Sequence, residues 1–205
     1  MNNDKGKVCF PLINYTNMFD ILPDKNINDY NEVIQFCDKN YYHLKDGTSR
    51  KVYDIGNGYV IKAAFNQKGI YQNQSEIRIS EQMKDDGLIL PIECYTDLWV
   101  IQKKVEPLTK ETTNLFNDLY DISFNKLCAL ITYCNIKILE KKNVYHYKNI
   151  NDFAYSIEKF LYKTKSIFCS DYRKIDSWGF LDNRIYIIDY GMDNITYDKY
   201  RKNVK

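Results

Sequence analysis

Three acids in the C-terminal quarter of the chain are of the type that phosphoryl transfer uses. Asp171, Asp176 and Asp189 stand five and then thirteen positions apart in the run Asp171-Tyr-Arg-Lys-Ile-Asp176-Ser-Trp-Gly-Phe-Leu-Asp-Asn-Arg-Ile-Tyr-Ile-Ile-Asp189-Tyr190-Gly191. Asp171, in a polar loop, is the candidate to accept the proton of an attacking hydroxyl. Asp176 would hold a metal ion from the loop side. Asp189, delivered onto a glycine by the β-type run 185–188, would hold metal against nucleotide phosphates. Residues 181–184 read as a turn into that last strand, so Asp171 and Asp189 are expected to face each other across a hairpin-like return.

The elements that must position these acids lie upstream. Residues 41–44 read as a first strand, 45–49 as a turn, 50–55 as a second strand, Gly56-Asn57-Gly58 as a tight hairpin and 59–64 as a third strand. Lys62 sits in that third strand between Ile61 and Ala63. It is either an edge residue reaching solvent or a phosphate ligand. A helix over 70–83 follows, with Ile70, Ile77 and Ile79 on its apolar side and Glu76 and Glu81 as acids able to pair with Lys62. Glu76 is the preferred partner; the other reading is a solvated helix acid. Asp85-Asp86-Gly87 ends the helix, and two more strands are expected over 88–92 and 98–101 around a turn at 95–97. Residues 109–168 have helical periodicity, with helices over 124–139 and 150–162. Near the N-terminus, 27–36 reads as a short helix after the Pro23-Asp24 turn, and Cys9-Phe10-Pro11-Leu12-Ile13 as a docking segment.

Composition narrows the function classes. A 205-residue chain with 44% hydrophobic and 27% charged residues fits one domain or two small lobes. Its net charge of +2 implies no general attraction for nucleic acid or an anionic membrane. There is no apolar run long enough to span a bilayer and no signal-peptide core, so a cytoplasmic protein is expected, in the producing or infected cell; secretion by a signal-less route would leave no mark. The six cysteines include no Cys-x-x-Cys pair and only two histidines accompany them, which excludes a zinc finger. Cys169 adjoins the acid loop, but thiol catalysis would want an orienting histidine.

Taken together, these features resemble the protein-kinase-like superfold. Asp171 stands where the catalytic Asp of a His-Arg-Asp loop belongs, Asp176 where its Asn belongs, and Asp189-Tyr-Gly where Asp-Phe-Gly belongs. Cys169-Ser170 replace His-Arg, and Asp176 replaces Asn. Ser49-Arg-Lys-Val-Tyr53, Lys62, Gln72-Asn-Gln-Ser-Glu76 and Asp176-Ser-Trp-Gly179 look like the motifs of minimal kinases from bacteriophages and bacterial effectors. The resemblance spans roughly 41–192. It implies an α+β bilobal fold: an extension over 1–40 packing on the first lobe, an N-lobe over 41–105 with a five-stranded antiparallel sheet and one helix, and a reduced, mostly helical C-lobe over 106–205.

It also implies ATP and Mg2+. Gly47, Thr48 and Ser49 occupy the place of the glycine-rich loop, whose amides would cap phosphates. Lys62, held by Glu76, would reach the α- and β-phosphates, and the 102–108 hinge, with Lys103 and Val105, would bind adenine through its backbone. The activity so implied is an ATP-dependent phosphotransferase, a minimal Ser/Thr or Tyr kinase acting on a host protein. Two other readings stay open: a kinase-like scaffold that blocks a host factor, and a small-molecule kinase of the antibiotic-phosphotransferase type.

Overall fold

The computed structural model describes residues 22–142, 145–165, 171–191 and 196–199. The chain is α+β and divides into two compact units, Met1–Asn73 with Ile92–Lys104, and Gln74–Pro91 with Val105–Lys205. Among the described residues no helix is long and apolar enough to cross a membrane.

In the first unit, helix α1 (Tyr30–Asn40) starts where the Asp29 side chain accepts from the Asn31 N–H at 2.8 Å. That cap places the helix three residues later than its apolar pattern predicts, because an acid before the first turn satisfies an otherwise orphaned donor. Strands β1 (Tyr42–Asp46), β2 (Arg50–Gly56), β3 (Tyr59–Ala64), β4 (Ile92–Tyr95) and β5 (Trp99–Lys103) form one antiparallel sheet in the order β1-β2-β3-β5-β4. The β2–β3 hairpin turns through Gly56, Asn57 and Gly58 with φ of 82°, 53° and 77°. Glycine and asparagine tolerate this left-handed region where other residues are strained. Val33 and Cys37 of α1 are buried in one core with Tyr53, Ile61, Ala63, Trp99 and Ile101. The Tyr53 hydroxyl donates to Asp38 at 2.7 Å, which holds that carboxyl below its usual range. The described part of the expected N-terminal extension therefore braces the sheet; residues 1–21, with the segment from Cys9 to Ile13, lie outside the described residues.

The fourth strand departs from expectation. It occupies Ile92–Tyr95 rather than 88–92, and the turn after it closes when the Thr96 N–H donates to the Trp99 carbonyl at 2.9 Å. Leu88, Ile89 and Leu90 are buried instead in the second unit, where Ile187 N–H donates to the Leu88 carbonyl and Ile89 bridges Ile187. A short apolar run has no alternation to tell a strand from a buried irregular segment, so tertiary packing decides.

Helix α2 (Gln67–Met83) begins three residues before its predicted start. In the second unit its Ile79 and Met83 enter a core with helices α3 (Leu115–Tyr120), α4 (Phe124–Leu139) and α5 (Asp152–Thr164), through Phe116, Leu127, Ile131, Ile157 and Phe160. Each such side chain stabilises the fold by roughly 1.5–3 kcal/mol. Ser123 and Asn151 cap α4 and α5 by accepting from the Lys126 and Ala154 N–H groups. A second sheet joins β6 (Glu106–Pro107), β7 (Trp178–Leu181) and β8 (Arg184–Ile187) in that order. Within the expected hinge over 102–108, Gln102 and Lys103 complete β5, and Glu106 and Pro107 pair with Phe180 and Gly179.

Candidate phosphotransfer site

Candidate residues occur in both units. In the first, β3 places Lys62 opposite Val52 on β2 and Val100 on β5, with only 9% of its surface exposed. Central-strand placement rules out the edge-residue reading. An ammonium so far buried needs polar company to offset its lost hydration. The turn between β1 and β2 is closed by the Gly47 N–H donating to the Arg50 carbonyl at 2.8 Å. Thr48 at its tip is exposed. Ser49 is buried and its hydroxyl donates to Gln72. Lys103 is exposed at the end of β5, and the Lys104 N–H after it is taken by the Gly58 carbonyl at 2.7 Å.

In the second unit the three acids come together around a hairpin. β7 and β8 turn through Asp182 and Asn183, whose φ values of 49° and 58° are those of a two-residue hairpin turn. The register runs Leu181 with Arg184, Phe180 with Ile185, Gly179 with Tyr186 and Trp178 with Ile187. It continues where the Ile188 N–H donates to the Ser177 carbonyl at 2.9 Å. Asp176 lies before that ladder and Asp189 two residues beyond β8. Asp171 opens a short 3-10 turn, Asp171–Arg173, followed by a second, Ile175–Ser177.

Lys174, between those turns, ties the acids together. Its Nζ donates to Asp171 Oδ1 at 2.7 Å. That hydrogen bond, and after it the fields of Asp171, Asp189 and Asp176, raise the Lys174 amine above its ordinary value against the opposing effect of desolvation. Trp178 anchors the turn from below: fully buried and set edge-on to Phe116, it donates from Nε1 to the Tyr172 carbonyl at 2.9 Å. Tyr190, beside Asp189, is 1% exposed and donates its hydroxyl to the Leu90 carbonyl at 2.8 Å. Val105 packs against Gly179, where any Cβ would collide with its Cγ2. Glu76, on α2, is fully buried rather than solvated.

Among the described residues no group of three or more Asp, Glu, His or Cys side chains is gathered to hold a metal by itself. A set of one or two carboxylates, such as Asp176 and Asp189 could supply, would suit Mg2+ instead. That ion usually takes one or two carboxylates and completes its shell with water and substrate phosphates.

Neither a family model nor a curated protein sequence matches the chain. Among solved structures it is similar to the streptomycin–ATP–APH(2'')-IIa ternary complex, at 14% identity over 80% of this chain and 71% of that one with a TM-score of 0.41. It is similar as well to the gentamicin–APH(2'')-IIa complex, at 14% identity over 80% and 71% with a TM-score of 0.40. A third is the ADP-bound aminoglycoside phosphotransferase APH(2'')-Ib, at 13% identity over 77% and 69% with a TM-score of 0.40.

Sequence reasoning gave no role to Lys174, which bonds Asp171, nor to the side chains of Trp178 and Tyr190, which bond the Tyr172 and Leu90 carbonyls beside the acids. A lysine three positions after an acid in a polar loop is a weak signal, but it is the spacing at which a turn brings two side chains to one side. Cys169 and Ser170, which replace the His-Arg of the kinase pattern, lie outside the described residues.

Proposed function

We propose that the protein is an ATP-dependent phosphotransferase. The observation that carries this reading is the second-unit arrangement in which Lys174 binds Asp171 and feels the carboxylates of Asp171, Asp189 and Asp176. Asp171 accepts the proton of the acceptor hydroxyl as its oxygen forms a bond to the γ-phosphorus. The bond from that phosphorus to the β,γ-bridging oxygen breaks, and ADP leaves with the electron pair. Asp176 and Asp189 are the residues that would hold Mg2+, which when bound neutralises phosphate charge. Lys62 and the turn of Gly47, Thr48 and Ser49 bind phosphate oxygens, Glu76 supports the lysine, and the backbone at Lys103 and Val105 takes adenine. The resemblance to minimal kinases supports a Ser, Thr or Tyr hydroxyl of a host protein as acceptor; an aminoglycoside hydroxyl is the other acceptor to offer.

The test is transfer of labelled γ-phosphate from ATP to host lysate, to the protein itself and to an aminoglycoside panel. Asp171→Ala should leave Mg-ATP binding near wild type and lower turnover by roughly 10²-fold or more, the scale of a lost general base. Asp189→Ala should lose metal-dependent binding and transfer together. No transfer by the wild type to any acceptor, with the biological effect intact in both variants, would replace this reading with that of a scaffold that blocks a host factor.

A further inference from the structure

Ser49, just before β2, and Arg50, its first residue, are bonded to two adjacent residues of α2. Ser49 donates its hydroxyl to Gln72 Oε1, and Arg50 donates from Nη1 to Asn73 Oδ1 at 3.3 Å. Asn73, fully buried, passes the link on by donating from Nδ2 to the Asp97 carbonyl at 3.0 Å. The Ser49 carbonyl accepts from the Phe65 N–H at 3.1 Å, and Gly69 lies so close to that carbonyl that a Cβ would collide with it. With the Gly47 N–H held by the Arg50 carbonyl, the turn is clamped on both sides of Thr48. Ordinary stability would be served by apolar packing, since burying polar groups costs free energy unless each is bonded. This network instead dictates the shape of one exposed turn.

We propose that Asn73 and Ser49 are positioning residues for phosphate recognition: through Gln72, Arg50 and the Asp97 carbonyl they hold the β1–β2 turn rigid, so that its tip at Thr48 meets nucleotide phosphates with Gly47 alone of the glycines that such loops ordinarily use. This inference rests on the phosphotransferase reading. A preorganised turn loses less conformational entropy on binding than a flexible one.

Calorimetric titration of the full chain with Mg-ATP and, separately, with adenosine tests it. Ser49→Ala should weaken Mg-ATP binding roughly threefold and Asn73→Leu roughly tenfold, the scale of one or two hydrogen bonds. Adenosine binding should not change, and Ser49→Thr, which keeps the hydroxyl, should restore Mg-ATP affinity. Should Asn73→Leu not fold, Ser49→Ala carries the test with the same ligand pair. Equal weakening of both ligands, or none, overturns the inference alone. A wild type that binds Mg-ATP no tighter than adenosine, or binds neither, overturns the phosphotransferase reading and this inference with it.

Discussion

The Lys174 ammonium lies 2.7 Å from the Asp171 carboxylate, within the fields of Asp176 and Asp189. The proposed base thus has a cation of its own three residues away. Lys174 is 61% exposed at its side chain, so solvent screens the attraction and the pair contributes little to stability. Its effect is local: it offsets the mutual repulsion of three acids and competes with any second cation.

Removing that cation should therefore favour metal. For Lys174→Met, Mn2+ binding without nucleotide is expected to tighten about fivefold, the scale of a partly exposed charge pair, with little change in melting temperature. Lys174→Arg should stay near wild type. Titration of Mn2+ by electron paramagnetic resonance reads this directly, and unchanged affinity in the Met variant would show that Lys174 does not govern the acids.

Gly179→Ala should be destabilising out of proportion to one methyl group. A Cβ there would collide with Val105 Cγ2 and stand 3.0 Å from Ile188 Cγ2. Overpacking of this kind costs roughly 1–3 kcal/mol. The urea midpoint should fall accordingly, and because Ile188 precedes Asp189, metal-dependent nucleotide binding should weaken in the folded protein as well. A midpoint equal to wild type would mean that Val105 and Ile188 yield freely around the glycine.

Glu158 is a buried acid with a structural task. Its two carboxylate oxygens accept from the His146 and Tyr147 N–H groups at 2.9 Å each, tying the segment before α5 to that helix. Glu158→Gln replaces one acceptor by a donor that faces an N–H. A loss of roughly 1–3 kcal/mol is expected, the cost of leaving a buried group unpaired, with an unchanged denaturant slope. Equal stability of the Gln variant would show that the pairing contributes nothing.

Stability should decline at alkaline pH for a reason visible in both units. Burial pushes the thiols of Cys37 and Cys134 up to about 12. A group whose pKa is raised on folding contributes stability that is complete below its unfolded value, near 8.5, and is lost as pH climbs towards the folded one. Tyr53, raised by burial and then by its bond to Asp38, acts in the same direction. Melting temperatures measured from pH 7 to 11 should therefore fall above about pH 8.5. The Cys37→Ala, Cys134→Ala double variant, less stable at pH 7, should fall less steeply; parallel curves would exclude the thiols as the cause.

Local signals were enough to locate most elements. Gly56-Asn57-Gly58 dictates the β2–β3 hairpin because few other residues accept its backbone angles, and β3 and α4 fall within their predicted limits. The three acids were legible for the same reason: chain spacing and residue type carry that information. Partners that meet across long sequence separations were not. Nothing local to Leu88-Ile89-Leu90 says that these residues join the second core rather than the first sheet. Nor does anything local to Gly179 say that Val105 will pack against it. The bonds from Ser49 to Gln72 and from Arg50 to Asn73 span 23 positions each, so they exist only once strand and helix have packed. The sequence by itself determined which chemical groups are present and which short segments turn, extend or coil. Tertiary structure alone decided which of those groups touch, because contact between distant residues depends on the packing of the whole chain.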